Sequence, residues 1–374
     1  MMNGRIVRWG ILGTAQIARK NWRAIQQAGN ATVFALASRD LNRAQDFINA
    51  CQAEAPMEIR PRAFGSYEDV LALAEVDAVY IPLPTGIRKE WVVRAAKAGK
   101  HILCEKPCAI SYSDLVEMIE VCRENKVLFL DGVMFMHSAR LDRMRSLLDD
   151  QAQFGRIKRI TSAFSFCGDD GFFDSNIRSL SSLEPHGCLG DLGWYCIRLA
   201  IWAMHGRMPE KVRGRVLRDF RSNPDDAAVP VEFAGELFFD QEVSSSFYCS
   251  FLTHDEQWAW ISGTKGNLQL SDFVVPFDGS EISFRFNQTE FQTDGCEFRM
   301  KTESKQIQVK EPSHGRPDAQ ETRMFRHFSE AIGDGGQIKQ EWTDWALKTQ
   351  MIMNTLQDSA EAGGIELPVK WGLI

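Results

Sequence analysis

A chain of 374 residues exceeds one average domain, and 44% hydrophobic with 25% charged residues gives it ample core and excludes a disordered chain. Its net charge of −7 removes the basic surface that nucleic acid or anionic lipid would need, so neither a nucleic-acid nor a membrane partner is expected. Nine cysteines with no CxxC pair and no His-rich tract read as buried thiols in a reducing compartment, with no metal site. The first residues, Met1–Arg8, lack the apolar run of a signal peptide, and the expected location is the cytoplasm.

Through the first 131 residues, short β-branched runs alternate with helical patterns. Strands are expected at Ile6–Leu12, Thr32–Ala37, Ala78–Ile81, His101–Cys104 and Val127–Leu130. Between them lie helices at Ile17–Ala28, Leu41–Cys51, Tyr67–Leu73, Lys89–Ala98 and Ser113–Glu124. This alternation predicts an α/β domain over residues 1–132, a doubly wound parallel sheet covered on both faces. Ser66 with Asp69 and Ser111 with Asp114 read as helix starts, Gly29 and Gly99 as helix ends.

Beyond Gly132 the rhythm changes. A helix at Arg140–Leu148 precedes a strand at Ile157–Phe166, a polar loop from Gly168 to Gly187 and an apolar helix at about Gly190–Met204. From Lys211 to about Val309 the chain reads as successive strands, for example Val231–Phe239, Glu242–Phe251, Trp258–Ser262 and Ile282–Phe286, and helices at Ala319–Ile332 and Thr343–Ala362 close the chain. Residues 133–374 are therefore expected to form an α+β domain on a large, mainly antiparallel open sheet, with room for the last helices to pack back on the first domain.

The first chemical signal is the strand–turn–helix Gly10-Ile11-Leu12-Gly13-Thr14-Ala15-Gln16-Ile17-Ala18. Free amides at a helix start, aided by the helix dipole, suit a pyrophosphate. The fingerprint is Gly13-x-Ala15-x-x-Ala18, so two glycines of the usual pattern are alanines. The second strand ends in Ser38-Arg39-Asp40. Ser38 and Arg39 can hold a ribose 2′-phosphate, while Asp40 suits helix capping; NADP(H) is favoured, with NAD(H) as the alternative.

At the next strand ends stand Pro82-Leu83-Pro84-Thr85 and Glu105-Lys106-Pro107. Strand ends of open α/β sheets face the ligand crevice, and Pro107 restricts how Lys106 is presented. Further along, Asp191 and Tyr195 are spaced i, i+4 on a largely apolar helix. On the residues alone, Tyr195 reads as a core aromatic and Asp191 as a helix-start charge.

Taken together, these motifs and the segment Gly187-Cys188-Leu189-Gly190-Asp191-Leu192-Gly193-Trp194-Tyr195 resemble the glucose–fructose oxidoreductase / inositol dehydrogenase / rhizopine-catabolism (Gfo/Idh/MocA) family, from about Arg5 to Pro368. The likeness is greatest to its dihydrodiol and NADP-dependent xylose dehydrogenase branch. It implies hydride transfer between NADP(H) and a sugar, polyol or vicinal diol. Lys106, Tyr195 and Asp191 would be catalytic, with Lys106 and Tyr195 handling the proton and the alkoxide. Gly10, Gly13, Thr14, Ala15, Gln16, Ile17, Ser38, Arg39, Pro82, Leu83, Pro84, Thr85, Glu105 and Lys106 would line the cofactor. A homodimer or homotetramer through the sheet is implied as well. Two departures stand out: Tyr195 where many members carry His, and Arg88 where many carry His.

Substrate contacts are expected from His137, Arg178, Phe172 and His186, each with a structural reading beside it: a core histidine, a solvated arginine, a packed phenylalanine. Two other functions fit the same fold, a nicotinamide-binding regulator without turnover and an enzyme that uses tightly held NAD for transient oxidation.

Overall fold

The computed structural model describes residues 5–337 and 339–371. Residues 1–4, 338 and 372–374 lie outside the described residues, and with them the first four positions of the Met1–Arg8 stretch. Two compact units divide the chain. One holds the chain up to His137, Ser182–Pro185 and His314–Gln350; the other holds Ser138–Ser181, His186–Ser313 and the chain from Met351 onward.

The first unit begins with β1 (Val7–Leu12), α1 (Gln16–Gln27), β2 (Ala31–Ala37), α2 (Leu41–Glu54), β3 (Arg62–Phe64) and α3 (Tyr67–Leu71). It continues with β4 (Ala78–Ile81), α4 (Thr85–Lys97), β5 (His101–Cys104), α5 (Tyr112–Glu124) and β6 (Phe129–Asp131). The six strands are parallel, in the order β3-β2-β1-β4-β5-β6. Every residue of β4 is buried, as helices on both faces of a parallel sheet require.

Three helix caps fall where the sequence places them. Ser66 Oγ accepts from Asp69 N at 3.2 Å and Ser111 Oγ from Asp114 N at 3.1 Å. Asp40 caps α2, accepting from Asn42 N at 2.7 Å and Arg43 N at 3.2 Å. Gly29 and Gly99, with φ of +82° and +71°, follow α1 and α4 in the left-handed conformation that glycine tolerates best.

The second unit carries α6 (Arg140–Leu148), β7 (Ile157–Cys167), α7 (Asp170–Ser175) and α8 (Trp194–Ala203), then β8 (Lys211–Phe220), β9 (Val229–Phe239) and β10 (Val243–Ser250). β11 (Leu252–Gly263), β12 (Asn267–Leu270), β13 (Ile282–Asp294) and β14 (Glu297–Val309) follow. After them come α9 (Gln320–Gly333), which belongs to the first unit, α10 (Gln340–Glu361) and β15 (Leu367–Pro368). The nine-stranded sheet runs β14-β13-β12-β11-β7-β10-β9-β8-β15 and is antiparallel except where β10 pairs with β7.

α8 is buried along its whole length and lies against β7 and β10. On β10 the side chains of Val243, Ser245, Phe247 and Cys249 are buried, while Ser244, Ser246 and Tyr248 alternate with them. Arg159 spans that second face, donating to Ser244 Oγ at 3.0 Å and Ser246 Oγ at 2.9 Å. By register Trp260 shares it, opposite Thr161, and is 49% exposed. That face is half-buried at its β10 positions and exposed at Trp260.

Several expectations are corrected. α4 starts at Thr85, four residues before the expected Lys89, because a carboxylate from far along the chain occupies its first amide (below). The expected loop from Gly168 onward contains α7, whose start Asp169 caps by accepting from Phe172 N at 2.8 Å. Strands β3 and β15, three and two residues long, were not expected, being too short to show an apolar alternation, whereas β8, β12 and β14 lie in the stretch of successive strands expected from Lys211 to about Val309.

Candidate active site

In the first unit the expected cofactor residues gather along one edge of the parallel sheet. Gly13 follows β1, Ser38 and Arg39 follow β2, Pro82 and Leu83 follow β4, and Glu105 and Lys106 follow β5. With all strands parallel, these are the same ends of neighbouring strands. Between β1 and β4 the strand order reverses, which is where open α/β sheets place ligands.

Gly13 has φ +117° and donates its amide to Ala37 O at 2.8 Å, closing the β1 and β2 ends together. A Cβ there would lie 3.1 Å from Leu83 Cδ2. At Gly10 a Cβ would meet Val70 Cγ1 at 2.6 Å, so that glycine serves packing beneath the turn. Thr14 and Ala15 are half-buried, Gln16 and Ile17 exposed, and the helix start at Ala15 has no side-chain cap. α2, α3 and α5 are all capped by their own side chains, so α1 presents uncapped amides on an exposed turn. That is the cradle a dinucleotide pyrophosphate fits. At the β2 end Ser38 is buried and Arg39 exposed, and the Tyr67 phenol feels both Arg39 and Arg43.

Beneath Lys106 the groups are tightly tied. The Glu105 carboxylate is 8% exposed; it accepts from Tyr80 OH at 2.7 Å and from Lys106 N at 3.2 Å. Asn21 of α1 donates to Tyr80 OH at 2.7 Å. A Cβ on Gly132 would come within 3.1 Å of that carboxylate, so glycine makes room for it. Burial, then the charge and hydrogen bond of Glu105, push the Tyr80 phenol well above its ordinary range. Lys106 itself is half-buried, and the Lys106–Pro107 peptide bond is cis. Nearby, Lys20 lies 3.9 Å from Glu321; burial pushes its ammonium down against the attraction of Glu321 and Glu105.

Thr85 is 2% exposed, its amide donating to Glu184 Oε1 at 3.0 Å and its hydroxyl to Glu184 Oε2 at 2.6 Å. Glu184 thus supplies the α4 start with the negative charge that Pro84 cannot. Sequence reasoning missed Tyr80, Asn21, Glu184 and the role of Arg88. Two carried a signal: a phenol inside the buried run Ala78–Ile81, and Arg88 on the helix face of Val92, Ala95 and Ala96.

The second unit assembles a different set. Leu189–Gly193 form a π-turn leading into α8, so Asp191 sits in the π-turn and Tyr195 in the first turn of α8 rather than both in one regular helix. Gly193 allows that turn to press on β10; a Cβ would lie 3.3 Å from Cys249 Sγ and from Phe247. Asp191 Oδ2 accepts from Arg178 Nε at 2.7 Å, joining two residues expected to be functional. Tyr195 is 7% exposed and edge-on to Phe164, their centroids 5.7 Å apart. Phe172 packs with Phe166, Phe173 and Phe251. His186 is buried, Nδ1 meeting Gln357 Oε1 at 2.7 Å. His137, in the first unit, has Nδ1 3.3 Å from that of His327 on α9.

The profile described as "Oxidoreductase family, NAD-binding Rossmann fold" of the Gfo/Idh/MocA group matches residues 7–132, and the Gfo/Idh/MocA C-terminal domain matches residues 141–269. The chain belongs to the Gfo/Idh/MocA oxidoreductase family. It is 31% identical over 281 residues to D-xylose 1-dehydrogenase (NADP(+)) 2 of Haloferax volcanii, covering 74% of this chain and 80% of that one. Mouse trans-1,2-dihydrobenzene-1,2-diol dehydrogenase is 28% identical over 274 residues, 72% of this chain and 76% of its own. Among solved structures, the 3-ketoreductase KijD10 of Actinomadura kijaniata, in complex with NADP and TDP-benzene, superposes with a TM-score of 0.77 over 94% of this chain and 97% of that one. At 23% identity that likeness is one of fold. For this Gfo/Idh/MocA member, the Rossmann unit and the mainly antiparallel sheet unit are the two parts the family prescribes.

Tyr80→Phe tests the buried chain beneath Lys106. A phenol whose pKa is raised by folding stabilises the fold fully below its unfolded value of about 10, and that contribution is lost as pH rises through the folded value. Urea unfolding at neutral pH should show the variant less stable by about 1–3 kcal/mol, the Glu105 acceptor and the Asn21 donor both being left short. Above about pH 10 the wild type should lose stability more steeply than the variant. Parallel curves would place the alkaline sensitivity elsewhere.

Proposed function

We propose that this protein is an NADP(H)-dependent dehydrogenase or reductase acting on the CH–OH or carbonyl group of a sugar, polyol or vicinal diol. One observation carries the reading. Of the helix starts along the parallel sheet's ligand edge, α1 is uncapped and exposed, beside Gly13 and on the same edge as Ser38-Arg39 and Glu105-Lys106. The NADP named for the xylose dehydrogenase relative points the same way.

In this reading Gly13, Thr14, Ala15, Gln16 and Ile17 bind the pyrophosphate with backbone amides and Gly10 packs beneath them. Ser38 and Arg39 hold the 2′-phosphate, and Arg43, close to the same phenol as Arg39, adds a second positive charge. Asp40 is spent on the α2 cap, which leaves the 2′ position without the acid that NAD binding favours. Pro82, Leu83, Pro84 and Thr85 form the wall at the β4 end. The bound nicotinamide supplies the hydride chemistry. Lys106 stabilises negative charge on the substrate oxygen, and Tyr195 carries the proton. Asp191 and Arg178 act as a pair that orients the substrate, with Phe172 beside them. His137 and His186, engaged by His327 and Gln357, play the structural part. The protein works as a homodimer or homotetramer through the open face of the nine-stranded sheet.

A screen of aldoses, polyols and trans-dihydrodiols with both cofactors, read at about 340 nm, tests the activity and shows whether reduced cofactor is released. Lys106→Ala should leave NADPH affinity within about threefold while kcat falls at least about a hundredfold; near-normal turnover would remove Lys106 from the reaction. Arg39→Asp should shift preference from NADPH towards NADH by at least about tenfold, and an unchanged ratio refutes the 2′-phosphate assignment. Sedimentation should give an oligomer that Trp260→Glu weakens; a monomeric wild type would end the interface proposal.

A further inference from the structure

Arg88, a buried side chain in the second turn of α4, is 3% exposed, yet it projects from the same helix face as Val92, Ala95 and Ala96. Its guanidinium is spent on the two strand-end loops. Nε donates to Leu83 O at 2.9 Å and Nη2 donates to the same oxygen, while Nη1 donates to Pro107 O and to Thr85 Oγ1 at 3.3 Å. Leu83 belongs to the loop after β4, and Pro107 is the residue that follows Lys106. Packing alone would be met by an apolar residue on that face, at lower desolvation cost. The fork geometry matters because one planar group serves two carbonyls in different loops.

The remaining contacts stiffen the same point. On the amino side of Lys106, the Glu105 carboxylate accepts its backbone amide. Thr85, under Arg88, is gripped through amide and hydroxyl by Glu184. Gly86 donates to Leu183 O at 2.9 Å, and a Cβ there would lie 2.1 Å from Ser182 O, so the segment leaves α4 no freedom to shift.

We infer that Arg88 is a positioning residue: it braces Pro107 against Leu83, so that the lysine departs from a backbone pinned on both sides, with Glu184 locking the start of α4. The value of such bracing is that a charge pre-placed for reaction need not be reorganised, and displacement by about 1 Å can cost about a hundredfold in rate. The inference rests on the assignment of Lys106 to the reaction, but the bracing can be read without turnover.

The experiment follows the Lys106 amine by NMR after reductive 13C-methylation of the full chain, its signal identified by loss in Lys106→Arg. Arg88→Met should move the titration midpoint of that signal by at least about half a unit or broaden it, and Arg88→Lys should restore it only in part. Titration curves identical to wild type in folded Arg88→Met overturn the inference; should that variant fail to fold, Arg88→Lys and Glu184→Gln decide on the same signal. With a substrate in hand, kcat of Arg88→Met should fall at least about tenfold while NADPH binding stays within about threefold. A fall in Tm with an unmoved lysine signal and unmoved pH profile marks Arg88 as structural only. If Lys106→Ala keeps full turnover while Arg88→Met still moves the lysine signal, the bracing stands and the catalytic assignment falls.

Discussion

A carboxylate cannot be taken out of water unless donors meet it, and Glu105 is the place where the first unit satisfies that demand. Its partners come from separate elements: the Tyr80 phenol from β4, the amide of Lys106 beyond β5, and Asn21 of α1 one step further through Tyr80. Gly132, after β6, contributes by having no side chain to offer. Four pieces of the sheet edge are thereby held at one point, within a residue of the lysine on which the chemistry is proposed to turn. Hydrogen bonds in such a chain polarise one another, so the network is stiff where it is complete and costly where it is broken.

The same edge treats its helix starts in opposite ways. Asp40, Ser66 and Ser111 close α2, α3 and α5 from within the local sequence. Glu184 closes α4 from almost a hundred residues away. α1 is left open and exposed. A helix start is an anion site unless something occupies it, so the pattern of filled and unfilled starts selects where a phosphate can settle. Membership of the Gfo/Idh/MocA oxidoreductases agrees with that selection.

Much of this was legible before any coordinates. Periodicity and capping residues located five of the six parallel strands and the local caps, because those signals lie within a few residues of each other. The motifs expected to line a cofactor fall at the same ends of neighbouring strands. What escaped was non-local. Nothing near Thr85 announces that Glu184 will grip it, and nothing near Glu105 names Tyr80 as its donor. Arg88 could be read as a departure from relatives but not as a clamp, since its acceptors are backbone carbonyls that every residue possesses. The pairing of Arg178 with Asp191 joined two candidates whose connection no spacing rule contains. The strands missed, β3 and β15, are three and two residues long, too short for an alternation to be read.

α9 lies more than three hundred residues beyond β1 in sequence, yet Trp9 donates to Ser329 Oγ at 3.3 Å and packs against Phe325 and Phe328. During synthesis, the ribosome delivers that helix only after some three hundred residues beyond β1 have emerged. Until then the nascent Rossmann sheet carries an indole without these partners, apolar surface of the kind that invites association between unfinished chains. Closing so large a loop makes completion of this unit a late event, slow relative to its local helices. A fragment cut after β6 would keep the nucleotide motifs but lose the lid of its own core.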